Sequence, residues 1–153
     1  MSYIDKLKEL GITLVEPPKA VANYDPYAIV GNMVYISGQL PFDGGELLHK
    51  GKLGDTISLE DGQAAARLCA INILARLQSA CGGDLNRVDR CVRLGGFVNC
   101  TPDFTDQPKV INGASDLMVS VFGEAGRHAR AAIGTNSLPL GVSVEVEALF
   151  LLK

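Results

Sequence analysis

The chain has 153 residues, a formal net charge of −3 at pH 7 and an apolar fraction of 47%. This length predicts one compact domain, residues 1–153. The acidic balance leaves no basic footprint for a phosphate backbone, which argues against nucleic acid as the main ligand. The longest apolar stretches, such as ALFLL at residues 148–152, are too short to cross a membrane, and residues 1–10 lack the apolar core of a signal peptide. We therefore expect a cytoplasmic protein without a membrane partner.

Composition also bears on self-association and on metals. A mean hydropathy of +0.18 is high for a small domain that must cover its surface with polar groups. We therefore expect apolar surface to meet a partner, most simply another copy of the chain. The chain has no C-x-x-C pair, and its cysteines are Cys69, Cys81, Cys91 and Cys100. This spacing predicts buried free thiols and no metal site.

The N-terminal third predicts one short helix and one hairpin. Apolar residues recur at helical spacing over residues 2–10, and the prolines at 17 and 18 then force an extended linker, so we treat residues 1–18 as a helical extension. Strands are expected at 27–30 and 33–36, because Gly31-Asn32 between them suits a tight turn. A loop, SGQLPFDGG, is expected to follow at residues 37–45.

The middle of the chain predicts a long helix and a strand. Ser58, followed three residues later by Asp61, favours a helix start, and the glycines at 82 and 83 favour its end, so the helix should run to about residue 81. Its apolar face is interrupted by Arg67, Asn72 and Arg76. A strand is expected at 88–98, where Gly95-Gly96 indicates either a bulge or a close approach to the backbone.

The last third predicts a second helix at about 109–122 and strands at 129–135 and 142–152, which NSLPLG would join as a hairpin. Helices clustered between strand pairs predict an α+β fold, with one mixed sheet carrying both helices on one face. The other face of the sheet must then be covered, and sister subunits packed into a closed ring would cover it.

The stretch RAAIGTNSLPLGVSVEVEAL, residues 130–149, holds the main candidate site. Side chains alternate along a strand, so Glu145 and Glu147 share one face while the valines take the core. A hairpin closed around Leu138-Pro139 would bring Arg130 within about two residues of one glutamate. The pair is either an ion pair on a solvated face or part of a site. The small residues 129–134 offer a dry wall, where a guanidinium is suited to grip a carboxylate through two parallel hydrogen bonds.

Other candidates are weaker taken singly. Ser37 and Gly38 follow a strand and could present a hydroxyl and backbone groups to a ligand. Tyr24 is more often a packing residue than a catalyst, and Asn112 is most simply a capping or surface amide. With two histidines, no phosphate-cradling loop and no carboxylates at metal spacing, a covalent or metal mechanism is disfavoured.

Taken together, these segments resemble the Rid family of reactive intermediate deaminases, formerly called the YjgF family. The resemblance covers the chain from about residue 20 onward. It rests on GNMVYISGQLP at 31–41, on the helix-rich middle, and above all on AR at 129–130 followed by LP at 138–139 and VEVEA at 144–148. Ala132 stands where relatives often have cysteine or serine, and the loop at 99–112 is longer than in the best-known members.

The resemblance implies a chorismate-mutase-like α+β fold, assembled as a homotrimer with a cleft at each subunit interface. It also implies hydrolysis of enamines and imines, such as 2-aminoacrylate released by pyridoxal-phosphate-dependent dehydratases, to a 2-keto acid and ammonia, with no cofactor and no metal. Carried over by position, Arg130 would anchor the substrate carboxylate and Glu145 would help hold the attacking water. Tyr24, Ser37, Gly38 and Asn112 would line the pocket.

Two other functions remain open at this point. The same arginine could anchor a small carboxylate in a non-catalytic trimer that acts as a sensor or regulator. RNA cleavage has also been attached to relatives, but only a small basic spot around residues 127–130 on an acidic chain would serve it, without aromatic stacking surfaces.

Overall fold

The computed structural model describes residues 1–19 and 22–153, and a five-stranded sheet with two long helices on one face forms its centre. The helices are α1 (Tyr3–Glu9), α2 (Leu59–Ala80) and α3 (Gln107–Phe122). The strands are β1 (Tyr27–Val30), β2 (Met33–Gln39), β3 (Phe42–Asp43), β4 (Glu46–Leu47), β5 (Val88–Asn99), β6 (Ala129–Thr135) and β7 (Val144–Leu152). The predicted α+β class is confirmed.

Helices α1 and α2 begin at side-chain caps. The Ser2 hydroxyl accepts from the backbone N–H of Asp5, whose carboxylate reaches back to Ser2, so α1 starts with a capping box. The Ser58 hydroxyl accepts from the backbone N–H of Asp61 at 3.1 Å, as predicted for α2. Helix α3 starts two residues before the predicted Lys109, because Pro108 is tolerated in the first turn, where its missing N–H needs no partner.

The N-terminal hairpin is confirmed, with Val30 opposite Met33 across the Gly31-Asn32 turn. The predicted loop at residues 37–45 is partly wrong. Strand β2 continues to Gln39, and β3 and β4 then pair as a small separate hairpin. Three residues of the predicted loop, 37–39, are therefore held in the sheet.

The predicted hairpin between β6 and β7 is wrong. The sheet order is β1-β2-β7-β5-β6, so β5 lies between the two strands, antiparallel to β7 and parallel to β6. Helix α3 carries the chain from β5 back across the sheet, and such a crossover places the next strand parallel to the first. After β6 the chain passes β5, and β7 then pairs with the edge of β5 that β6 does not occupy.

Gly95-Gly96 marks a close approach and no bulge. The pairing of β5 with β7 is continuous through both glycines, with Gly95 opposite Glu147 and Gly96 opposite Val146. A Cβ at Gly96 would lie 2.5 Å from side-chain carbons of Ile111 on α3. The glycine therefore lets α3 pack directly against the sheet.

The two faces of the sheet differ in burial. Along β7 the residues that face α2 and α3, from Val144 to Leu152 in alternation, are buried, and those between them are half-buried. Helix α2 packs on β2 and β7, and α3 packs on β5 and β6, so both helices cover one face as predicted. We call the opposite side, which carries Glu145, Glu147 and Leu149 of β7, the open face.

All four cysteines are free and buried, as predicted. Burial raises the pKa of the Cys91 thiol to about 12 and that of Cys69 well above its usual range. Among the described residues, no helix combines the length and apolar character needed to cross a bilayer.

Candidate functional site

Arg130 lies on the edge strand β6 and points toward α3, since its register partner Leu94 is buried beneath the same helix layer. Its Nη1 donates to Oδ1 of Asn112 at 2.8 Å and to Oγ of Ser115 at 3.2 Å. Its Nη2 donates to the Pro108 carbonyl at 3.3 Å. A guanidinium has five donors, and Nε–H and the second Nη2–H have no acceptor among residues 1–19 and 22–153. A carboxylate can therefore be held by a guanidinium that is already fixed in place.

A second layer of hydrogen bonds holds Ser115. The Nδ1 of His128 lies 2.6 Å from the Gly126 carbonyl, which can only accept, so Nδ1 carries the proton. The Nε2 of the neutral ring then accepts from Ser115 Oγ at 2.9 Å, and the same oxygen accepts from Arg130. Burial lowers the pKa of His128 below its usual 6.5, and the charge of Arg130 lowers it further against the Gly126 hydrogen bond, which raises it. The arrangement favours a neutral ring behind the guanidinium.

Glu145 lies on the open face next to β2. Burial raises the pKa of its carboxyl above the usual 4.5, and the nearby charge of Glu147 raises it further. A Cβ at Gly38 would lie 2.8 Å from Oε2 of Glu145, so this glycine leaves the room that the carboxylate occupies. A half-buried carboxyl with a raised pKa is suited to accept and return a proton.

The neighbouring glutamate has a different partner. Glu147 forms an ion pair with Arg93 of β5, with Oε2 3.8 Å from Nη1 and both side chains about half-exposed. Such exposed pairs contribute about 0–1 kcal/mol. The ion pair expected from the sequence thus exists on the solvated open face, but with Arg93 in place of Arg130.

The segment before β1 is fixed on β2 by Ser37. The Ser37 hydroxyl donates to the Asp25 carbonyl at 2.6 Å, and its backbone N–H donates to the Pro26 carbonyl at 3.0 Å. This places Tyr24, which is 55% exposed, at the mouth of a cavity of about 380 Å³ that Gly38 also lines. Tyr24, Ser37, Gly38 and Glu145 therefore form one group, which we call the Glu145 half of the site.

Arg130 and Asn112 form the other group, the Arg130 half, and the structure does not bring the two halves together within one chain. Leu94 of β5 pairs with both Arg130 and Ala148, so Arg130 shares the helix face of the sheet with Ala148. Glu145 points to the open face and lies two strands away. The predicted proximity of Arg130 to a glutamate is wrong because β5 separates their strands.

The small residues of β6 do not form the predicted dry wall around the guanidinium of Arg130. Ala129, Ala131 and Ile133 alternate with Arg130 along β6, are exposed and point to the open face. Only Ala132 shares the side of Arg130 and packs against the core. The guanidinium is surrounded mainly by polar groups of α3.

Sequence reasoning missed Ser115 and His128 as supports of Arg130. Both had a signal: Ser115 is three residues after Asn112 and so lies on the same helix face, and His128 is two residues before Arg130 and so lies on the same side of an extended chain. No group of three or more potential metal-ligating side chains occurs among the described residues.

The fold and the residue pattern of the site match a known protein family. A family model described as "YjgF/chorismate_mutase-like, putative endoribonuclease" matches residues 5–151. The chain belongs to this YjgF/Rid family, and the predicted resemblance is confirmed.

Three relatives illustrate the range of similarity. Protein TCP17 of Trypanosoma cruzi is 48% identical over 144 residues, which cover 94% of this chain and 89% of TCP17. A Shewanella oneidensis structure described as a "putative endoribonuclease" is 38% identical, with a TM-score of 0.96 and coverage of 99% of this chain and 100% of that one. The structure of RidA from an Antarctic Psychrobacter is 29% identical, with a TM-score of 0.62 and coverage of 90% and 94%.

Proposed function

We propose that the protein hydrolyses small imines and enamines of the 2-aminoacrylate type to a 2-keto acid and ammonia, without a cofactor. The observation that carries this proposal is the Arg130 guanidinium, which three acceptors of its own chain fix while two donors stay available. A fixed guanidinium with free donors is suited to bind a carboxylate next to a reacting carbon. The position of Arg130 in the family pattern supports the same assignment.

The chemistry asks little of the protein beyond orientation and proton transfer. An enamine first takes a proton on its terminal carbon and becomes an imine. Water then adds to the imine carbon, the nitrogen gains a proton, and the C–N bond breaks to give the ketone and ammonia. Glu145 would accept the proton of the attacking water and return it to the nitrogen, and its raised pKa supports this exchange.

The separation of the two halves supports a site built between subunits. One chain presents Arg130 on its helix side and Glu145 on its open face, so a single substrate could contact both only if they come from two copies. The homotrimer implied by the family resemblance would supply such an interface. Several large apolar side chains are about half-exposed or more in the single chain, which favours burial against a partner: Tyr24, Ile29, Tyr35, Ile133 and Leu140.

The direct test is a coupled assay with a serine or threonine dehydratase, in which the protein should speed the appearance of the 2-keto acid. Arg130→Ala should lower the rate constant kcat/KM by about 10- to 100-fold, because charge-assisted hydrogen bonds to the carboxylate are lost. Arg127→Ala is the matched control, since the side chain of this nearby exposed arginine pairs with Glu124 at 3.1 Å. No acceleration by the wild-type protein would contradict the proposal, and saturable binding of 2-ketobutyrate without turnover would indicate a carboxylate-binding protein.

Subunit mixing tests the shared site. Arg130→Ala and Glu145→Gln chains should each keep at most about a tenth of the wild-type activity alone. After random mixing in a closed ring, about a quarter of the interfaces would combine an intact Arg130 with an intact Glu145, so about a quarter of the wild-type activity should return. No recovery after verified subunit exchange would place both residues in the same chain's site or exclude one of them.

A further inference from the structure

A second arginine, Arg76 of α2, is buried where no acidic side chain accompanies it. It is 4% exposed, and its Nη2 donates to the carbonyls of Pro17 and Pro18, each at 3.0 Å. Among residues 1–19 and 22–153, its buried Nε has no hydrogen-bond partner and its guanidinium forms no salt bridge with an acid. The helical position thus holds a cation that its surroundings satisfy only in part.

A buried guanidinium without a counter-charge is unusual. Arginine stays protonated at any physiological pH, so it cannot escape the cost of burial by losing its charge. Two carbonyl oxygens offset part of this cost, but buried charges are as a rule paired with an opposite charge. An anion bound beside Arg76 would supply the opposite charge that the described residues do not.

Arg76 lines the cavity of about 380 Å³ at the end of β2. Asn72, one turn earlier on α2 and 5% exposed, donates to the carbonyls of Leu40 and Phe42 at 2.9 and 3.1 Å. Asn72 thus fixes the wall formed by residues 40–42, and Arg76 fixes the wall formed by residues 17–18. Two buried polar side chains at i and i+4 of one helix hold the cavity open.

The rest of the lining is mostly apolar. Leu40, Phe42 and Leu140 contribute hydrocarbon surface, and Tyr24 contributes a ring at the mouth. Inorganic phosphate would leave this apolar surface uncovered. An organic acid would cover it with its body while its carboxylate meets the guanidinium.

We propose that this cavity binds the carboxylate of a small organic acid with an apolar body, with Arg76 as the charged anchor. The site is separate from the guanidinium of Arg130 and requires no turnover, so it does not depend on the proposed reaction. It shares Tyr24 and Gly38 with the Glu145 half, so its occupant would lie beside that half.

Benzoate is a suitable probe, with benzamide as the uncharged control of the same shape and inorganic phosphate as the control without an apolar body. By isothermal titration, benzoate should bind the Arg130→Ala variant, which lacks the other proposed carboxylate anchor, and the remaining site is then the one at Arg76. Introduced into that variant, Arg76→Gln should weaken benzoate binding by at least about tenfold, and Arg76→Lys should have an intermediate effect because it keeps the charge but loses the planar fork. Benzamide and phosphate should bind far more weakly than benzoate.

A second measurement uses only the wild-type protein, in case Arg76→Gln does not fold. Benzoate should shift the NMR methyl signals of Leu40 and Leu140 and leave those of Leu94, which is buried under α3, unchanged. The proposal is overturned by absent benzoate binding, by phosphate or benzamide binding as tightly, by unchanged affinity in Arg76→Gln, or by shifts confined to residues outside the cavity. Loss of binding in Arg130→Ala alone would assign the probe to Arg130 instead.

Discussion

Along β7, the side chains that face the helices are buried, whereas Glu145, Glu147 and Leu149, which alternate with them on the open face, are half-buried. Helices α2 and α3 pack closely against the helix face of the sheet. At Gly96 there is no room for a Cβ beneath Ile111. The open face instead carries charges and partly covered apolar groups. The comparison teaches that one strand can serve two purposes. On the helix face its residues are constrained by close packing, and on the open face they are constrained by charge and proton affinity.

The largest expected effect separates two adjacent residues of β7. Phe150 is fully buried on the helix face, and Leu149 lies half-buried on the open face. Phe150→Ala should lower the free energy of unfolding by about 3–5 kcal/mol because it leaves a cavity in the core. Leu149→Ala should cost under about 1 kcal/mol at protein concentrations where the chain is monomeric. Urea unfolding of both variants checks this, and equal losses in the monomer would break the distinction between the faces.

The second prediction compares two glycines that each make room for a glutamate on the open face. A Cβ at Gly38 would lie 2.8 Å from Oε2 of Glu145, and a Cβ at Gly95 would lie 2.9 Å from Cγ of Glu147. Gly38→Ala should lower kcat/KM in the coupled assay by about 10- to 100-fold, because it displaces the Glu145 carboxylate. Gly95→Ala is the matched control and should keep most of the activity. An active Gly38→Ala enzyme would argue against a positioned Glu145.

The third prediction concerns pH and the Arg130 half. The pKa of His128 is lowered in the folded protein, so the unfolded chain binds more protons as the pH falls below about 6.5. Stability should therefore decrease as the pH falls from about 7 to about 5, by about 1 kcal/mol or less from this group, because the ring is only half-buried and solvent screens the charges. Urea unfolding across this range measures the loss. His128→Asn should flatten this part of the pH profile, and an unchanged profile would assign the dependence to other groups.

The smallest effect is expected for Glu145→Gln. The pKa of Glu145 is raised in the folded protein, so the contribution of this group to stability falls as the pH rises from its usual 4.5 through the raised pKa. Removing the carboxylate should therefore stabilise the protein at pH 7, by under about 1 kcal/mol because the site is partly exposed. The gain should vanish at about pH 4, where the carboxyl is protonated in both states. A loss of stability at pH 7 would mean that the carboxylate has a favourable partner.

Local features of the fold could be predicted from the sequence, and strand neighbours could not. The turn at Gly31-Asn32 and the cap at Ser58 are properties of a few adjacent residues, and both are where the sequence places them. Strand periodicity correctly assigned Glu145 and Glu147 to the face opposite the valines. Periodicity does not say which strands are neighbours in the sheet. Consecutive strands often pair, so a hairpin of β6 and β7 is the natural expectation. No local sequence feature indicates that β5 lies between them.

The candidate site follows the same division. Residue type and spacing singled out Arg130 and the pair Glu145 and Glu147. The family resemblance selected Glu145 and added Asn112 and Gly38, and the structure joins these four residues in two pairs. What joins each pair depends on tertiary contacts: the approach of α3 to β6 sets the hydrogen bond from Arg130 to Asn112, and the pairing of β2 with β7 sets the contact of Gly38 with Glu145. The buried charge of Arg76 could not be inferred, since an arginine in an apolar helix face more often reaches solvent.

The four buried thiols can report on local opening of the folded protein. All four thiols are buried, and burial raises the pKa of Cys69, Cys81 and Cys91. An alkylating or disulfide-exchanging reagent can therefore modify them only when the interior transiently opens. The rate of labelling therefore measures how often the interior opens, and comparing the four sites would map which layer loosens first without any engineered probe.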